Sequence, residues 1–331
     1  MKPVRDLHLE RLVVRAPNWL GDVVLSLGAV RDIRRQFPSA RIEVLARPSV
    51  AALYGAVREV DAIRPSAGWR ADADTLRGAF DAAVLLPNSF GSALSPWLAG
   101  LAERWGYATD GRGVLLTRRA TVPRDLRGES EVYYYRAMLA AVGFEVSASP
   151  DVSLRCPDEW KAKAAALRAG RRVVLSPGAA FGGAKRWRPE RFAEVGDQLA
   201  RERDAEVLIV GTASDRPLAE SVAARMAERR RVVCGETTLA DLTAILDGAE
   251  VLVTNDSGTM HVAAALGTPL VAVFGPTDWR ETAPVGTRHR LVREPVHCAP
   301  CMLRDCPIDH RCMTAVSAER VLGAAREVLA S

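Results

Sequence analysis

The chain has 331 residues, 48% of them hydrophobic and 26% charged, a composition that excludes wholesale disorder and suits about two domains. Lys and Arg number 45 against 40 Asp and Glu, a formal net charge of +5. That excess allows an anionic partner without choosing among nucleic acid, phosphorylated lipid and sugar nucleotide. No stretch approaches the roughly 18–20 unbroken apolar residues of a membrane span. The start, MKPVRDLHLERLVVRAP, carries no signal-peptide core, so the expectation is a chain that stays in the cytoplasm.

Taken in order, Arg11–Arg15 reads as a buried strand, followed by the turn APNWLGD and a helix that ends near Phe37-Pro38. Arg41–Ala46 and Asp81–Leu86 are the next strands, the latter closed by Pro87-Asn88. Short apolar strands separated by helices predict parallel βαβ units. A boundary fits Ser147–Pro157, which holds prolines and small polar residues. It separates an N-terminal domain, 1–150, from a C-terminal domain, 158–331. The second half predicts strands at Arg172–Leu175, Glu206–Val210, Arg231–Val233, Glu250–Val253 and Leu270–Phe274. Helices are expected over Pro189–Glu202, Asp215–Arg229 and Leu239–Gly248, the last opened by a capping box of Thr238 and Asp241. A final helix covers Ala318–Ala330, and its return to the N-terminal domain is left open.

Two doubly wound domains facing each other would bring the carboxyl ends of both sheets to one cleft, where ligands of such sheets bind. A single dinucleotide-binding enzyme is disfavoured. No GxGxxG follows the first strand, and the Walker A pattern GxxxxGK[ST] is missing from the sequence.

Three strand-to-helix junctions carry candidate chemistry. In the first, Ala16-Pro17-Asn18-Trp19-Leu20-Gly21-Asp22, Asp22 falls in the first helical turn. It reads either as an acid complementing the helix dipole or as a carboxylate base. Trp19 reads as a ligand contact or a staple onto the core. In the second, Ser176-Pro177-Gly178 leads through a glycine-rich loop to Lys185-Arg186. Such backbone approaches a phosphate closely, and the lysine supplies charge; the alternative is a solvated surface loop. The third, Asp256-Ser257-Gly258-Thr259-Met260-His261, opens a helix at once after a strand. The N–H groups of a helix start attract an anion, although Ser257 or Asp256 also suits a plain N-cap. His261, one turn along, either reaches the same anion or is a satisfied buried histidine.

Asp215 follows the strand VLIVG and reads as a ribose acceptor or an ordinary cap. Asp72-Ala73-Asp74 matches a DxD metal pattern, but a solvated helix start is preferred. Cys298, Cys301, Cys306 and Cys312 crowd together near His297 and His310. Zinc, reduced structural thiols and a disulfide remain open there.

These motifs together (NWLGD, PGAAFGGAKRW, TNDSGTMHVAAALGTP, FGPTDW and CAPCMLRDCPIDHRCM) resemble glycosyltransferase family 9 over essentially the whole chain. The resemblance implies an α/β GT-B fold, two doubly wound Rossmann-like domains facing a central cleft, with no metal and no cofactor. It implies inverting transfer of L-glycero-D-manno-heptose from ADP-heptose to the heptosyl-Kdo2-lipid A inner core of lipopolysaccharide. The N-terminal domain would take this Kdo-lipid A type glycolipid acceptor and the C-terminal domain the donor. Asp22 matches the family's general base, and Lys185 the cation on the donor diphosphate. Ser176, Gly178, Asp215 and the run Asp256, Ser257, Gly258, Thr259, Met260 and His261 fall on the donor side. Arg15, Asn18 and Trp19 fall on the acceptor side, with Arg47, Arg118, Arg119 and Arg124 as further candidate cations. The expected place is the cytoplasmic face of the inner membrane, in peripheral contact with its surface, without nucleic acid. Rival readings are a family member adding the first or a later heptose, a nucleotide-sugar epimerase on the same fold, and a noncatalytic binder of polyanions.

Overall fold

The computed structural model describes residues 3–126 and 128–330. The chain divides into two compact units, Met1–Val152 and Ser153–Ser331. The first holds six strands, β1 (Arg11–Arg15), β2 (Arg41–Ala46), β3 (Ala62–Pro65), β4 (Ala82–Leu85), β5 (Glu103–Tyr107) and β6 (Arg118–Ala120), in the order β3-β2-β1-β4-β5-β6. The second holds β7 (Arg172–Ser176), β8 (Glu206–Ile209), β9 (Arg230–Val232), β10 (Val251–Asn255), β11 (Leu270–Phe274) and β12 (His289–Arg293), in the order β12-β11-β10-β7-β8-β9.

All neighbours in both sheets run parallel, for example Val14 beside Val44 and Val84, and Leu252 beside Val174 and Leu270. Counted from its own first strand, each sheet has the doubly wound order 3-2-1-4-5-6. The order reverses between β1 and β4 in one unit and between β7 and β10 in the other. Loops leaving two such strands turn to opposite faces and leave a crevice at the carboxyl edge. The two junctions thereby become the places to look for ligands.

Burial explains which strands were legible. β10 and β11 are buried along their whole length, because parallel sheets carry helices on both faces. Their sequences, VLVTN and LVAVF, are correspondingly near-continuous apolar runs. β3, β6 and β12 lie at sheet edges and read AIRP, RRA and HRLVR. With one side open to solvent they tolerate charge, so no apolar run announces them. β5, ERWGY, is also absent from the sequence expectation. Its charged residues are absorbed locally: Arg104 donates to Leu115 O at 2.7 Å and Trp105 Nε1 to Glu103 at 2.6 Å.

Three further expectations change. The helix expected over Asp215–Arg229 spans only Arg216–Ala223, because the buried Asp197 carboxylate takes the N–H groups of Ala227 and Glu228 at 2.9 and 3.0 Å and pulls that stretch out of helix. Asp72 is not solvated: it is buried and accepts from Ser66 Oγ at 2.6 Å and Ala67 N at 2.9 Å, whereas Asp74 is exposed and pairs with Arg77. The final helix, Ala318–Ala330, packs within its own unit against β11, β12 and the helix Pro189–Arg203. The Thr238–Asp241 capping box forms as read, with Asp241 N on Thr238 Oγ1 and Thr238 N on the Asp241 carboxylate.

Candidate active site

In the first unit, β1 ends in Arg15, and the chain turns through Asn18 into the short helix Leu20–Leu25. Arg15 is half-buried and spends its guanidinium on the strand ends, donating to Ala16 O at 3.0 Å and Leu45 O at 3.1 Å. Its other nitrogen reaches Asn18 Oδ1 at 3.3 Å. Burial holds Arg15 below its ordinary pKa, with Asp72 opposing and Arg47 adding to that shift. A cavity of about 550 Å³ opens here, walled among others by Arg15, Asn18, Arg47, Ser66, Trp69 and Asp72. Two cations and several hydroxyls around a concave space suit an anionic, polyhydroxylated ligand.

Trp19 and Asp22 are not walls of that cavity. Trp19 is 58% exposed at the N-cap position of the helix, so it is no staple onto the core. Asp22 is half-buried in the first helical turn. Its charge, after burial, helps push the Tyr135 hydroxyl well above its ordinary pKa. Of the other candidate cations, Arg118 is buried on Glu103 and Trp105 in the sheet, which removes it from a ligand role.

In the second unit, β7 runs into the glycine-rich loop and β10 into the Asp256 turn. Lys185 Nζ lies 2.6 Å from Asp256 Oδ2, with both side chains almost fully buried. Thr277 Oγ1 donates to the same Asp256 oxygen at 2.5 Å. The sequence did not single out Thr277, although it sits in the quoted FGPTDW. Asn255 ties the two junctions together by accepting from Trp187 N at 3.0 Å and donating to Pro177 O at 2.7 Å. Lys185 is therefore not a solvated cation on a surface loop.

The helix Gly258–Leu266 starts directly after this turn. Ser257 holds the N-cap position but makes no side-chain cap, its hydroxyl lying 3.1 Å from that of Thr254. Met260 N–H takes Ser257 O at 3.1 Å, and the Met260 side chain is buried in the core. Helix geometry leaves the N–H groups of Gly258 and Thr259 without an intrahelical acceptor. Ser176 Oγ, from β7, reaches Thr259 Oγ1 at 3.4 Å. An uncapped helix start beside a lysine is an arrangement that stabilises an anion.

His261 is fully buried, and that burial pushes its pKa down to about 4, with Asp256 opposing and Lys185 adding. It is neutral at physiological pH, so it supplies no charge to an anion. Neither is it a satisfied core histidine, since Nδ1 has no hydrogen-bond partner among the described residues. Asp215 takes a local role: its carboxylate accepts from Thr212 N at 3.0 Å and Thr212 Oγ1 at 2.6 Å, closing a capping box. Gly178 fits against it, because a Cβ there would lie 2.5 Å from Asp215 Oδ1. Arg186 approaches Asp215 at 4.0 Å.

All six cysteines are free thiols, ranging from the exposed Cys301 to the buried Cys312. Burial, with the neighbouring Cys298, Cys301 and Cys306, pushes Cys312 up to about 11. Among the described residues no group of three or more His, Cys, Asp or Glu is placed to hold a metal ion, and no helix is long and apolar enough to cross a membrane.

Two doubly wound sheets, each with polar residues gathered at its switch point, define the GT-B class of glycosyltransferases. The chain belongs to glycosyltransferase family 9 (heptosyltransferase), whose profile matches residues 69–311. It is 30% identical to lipopolysaccharide heptosyltransferase 2 of Salmonella typhimurium over 86% of this chain and 88% of that protein. Lipooligosaccharide heptosyltransferase 2 of Haemophilus influenzae is 29% identical over 85% of this chain and 88% of its own length. The solved structure of E. coli ADP-heptose LPS heptosyltransferase II superposes with a TM-score of 0.83 at 29% identity, covering 97% of this chain and 98% of that one.

Proposed function

We propose that this protein transfers a heptose from ADP-heptose to the inner core of lipopolysaccharide, adding the second heptose to a heptosyl-Kdo2-lipid A acceptor with inversion at the anomeric carbon. The observation that carries the donor half is the buried Lys185–Asp256 pair beside the uncapped start of the helix Gly258–Leu266. The sugar and the acceptor rest on the likeness to the heptosyltransferase 2 proteins.

The second unit is the donor domain on this reading. As the bond between the anomeric carbon and the diphosphate oxygen breaks, negative charge builds on the departing ADP. Lys185 and the N–H groups of Gly258 and Thr259 stabilise it, worth most in a site where water is excluded. Asp256 holds the lysine in place beforehand. The first unit takes the acceptor, whose carboxylates and phosphates suit the cavity around Arg15 and Arg47. Asp22 removes the proton of the attacking hydroxyl, and the oxygen closes on the anomeric carbon from the face opposite the leaving group. Lipid A anchors the acceptor in a bilayer, so the enzyme works in peripheral contact with the inner-membrane surface.

The test is ADP release from ADP-heptose with Kdo2-lipid A acceptors that carry or lack the first heptose. Release only with the heptosylated acceptor is the expected result. Turnover of the donor with no acceptor present would point instead to an epimerase. Asp22→Asn is expected to lower kcat by about 10²–10⁴-fold, the usual share of a general base, with ADP affinity kept. Wild-type turnover in that variant ends the assignment of Asp22.

A further inference from the structure

The cysteine-rich segment is a family marker in the sequence, and the structure gives it a place. It lies over the loop that carries Lys185. Ala184 N donates to Arg304 O at 2.9 Å, and the imidazole Nε2 of His310 lies 2.6 Å from Ala184 O. A side chain at Gly182 would collide with the Arg304 backbone, so the glycine permits this approach. Cys301 N and Met302 N both take Pro276 O, at 3.0 and 2.8 Å, which ties the segment to the end of β11, one residue before Thr277. Both ends of the Lys185–Asp256–Thr277 group therefore rest against the same segment.

That packing brings a second cation to the site. Lys185 Nζ lies 4.9 Å and Arg304 Cζ 5.5 Å from the ring centre of Phe181. The two positive groups share one aromatic ring, and so stand within about 10 Å of each other by simple addition, near the Debye length at physiological salt. Lys185 is neutralised by Asp256. Arg304 is exposed and has no ion pair among the described residues. The nearest acid of its own segment, Asp305, lies on Gly183, where Oδ1 would be 3.2 Å from a Cβ. A ring face holds a cation by its quadrupole without neutralising it, so the charge of Arg304 remains available to a ligand. A planar guanidinium matches two phosphate oxygens at once.

We propose that Arg304 is a second diphosphate-binding residue of the donor site, acting on the β-phosphate while Phe181 orients it beside Lys185. The inference rests on the donor reading above and adds to it a residue from a segment more than a hundred positions away in sequence. Because Arg304 is exposed, its truncation leaves the fold intact, which thermal unfolding checks.

The experiment is calorimetric titration of the full-length protein with ADP and with AMP, for wild type, Arg304→Ala and Arg304→Lys. Arg304→Ala is expected to weaken ADP about 10-fold and AMP less than about 2-fold, with Arg304→Lys recovering part of the ADP loss. ADP affinity within about 2-fold of wild type in Arg304→Ala overturns the inference. Equal losses for ADP and AMP also overturn it, since they would report a general disturbance of the nucleotide site. A wild-type protein that binds neither nucleotide instead defeats the donor reading itself, so the two failures are told apart.

Discussion

The most exacting prediction concerns His261. Its ring is fully buried next to the Lys185–Asp256 pair, and burial lowers its pKa from 6.5 to about 4. At about 1.4 kcal/mol per pH unit, that gap amounts to about 3–4 kcal/mol against the charged ring. The unfolded imidazole takes a proton as pH falls through about 6.5, while the folded one does so only near 4. Folded stability from this group is therefore complete above pH 6.5, declines between 6.5 and 4, and is lost below 4. The sequence has 5 histidines, few enough for each imidazole to be followed by NMR through a pH titration, with His261→Gln supplying the assignment. The expected midpoint for His261 is near 4, with a further comparison available in the stability of wild type and His261→Gln between pH 7 and 5. The gap between the two proteins should close as the pH falls. A His261 midpoint near 6.5 refutes the reasoning, because it would require either solvent at the ring or a partner for Nδ1.

Two other predictions bear on the ion pairs. Lys185→Ala removes the cation of the proposed donor site and leaves the Asp256 carboxylate without its partner. Calorimetry should find ADP weakened about 10–100-fold, the loss of one charge-assisted contact, and unchanged affinity would remove Lys185 from the site. Adding Asp256→Asn should restore thermal stability without restoring ADP binding. Asp32 is fully buried and accepts from Arg136 Nε at 3.0 Å and from Ser147 N and Oγ, each at 3.2 Å, with Arg35 also on it. Asp32→Ala strands the buried Arg136 and should cost about 3–5 kcal/mol in urea unfolding, while ADP affinity stays at the wild-type value. A cost below about 1 kcal/mol would mean that Arg136 finds another acceptor.

What the sequence reveals depends on how local the deciding physics is. β1, β2, β11 and the last helix appear at their expected bounds, because a doubly covered strand and an amphipathic helix each write their surroundings into consecutive residues. The polar turns after β1, β7 and β10 were equally legible, since small and charged residues following an apolar run mark a strand's carboxyl end. Sheet order was not. Nothing in RRA or HRLVR says which neighbour it will pair with, and that choice belongs to the whole unit. The cavity beside β1 escaped for the same reason: Arg15, Arg47 and Asp72 meet there only once β1, β2 and the helix after β3 are assembled. His310 on Ala184 spans 126 positions, and no spacing rule reaches that far.

Charge at the proposed donor site is where local reading and assembled structure part most clearly. Taken singly, Lys185 and His261 are two cations for a diphosphate, and Asp256 is a donor-site acid. Assembled, Asp256 cancels Lys185 and burial discharges His261. The site at rest is thus close to neutral on its inner side, which spares the fold the cost of an unpaired buried charge. On the donor reading proposed above, an incoming diphosphate competes with Asp256 for Lys185. On that reading it can do so because it brings more negative charge than one carboxylate and because the helix N–H groups and the proposed Arg304 contact join in. This arrangement favours a ligand carrying two phosphates over one carrying a single phosphate, which is the discrimination that ADP against AMP measures.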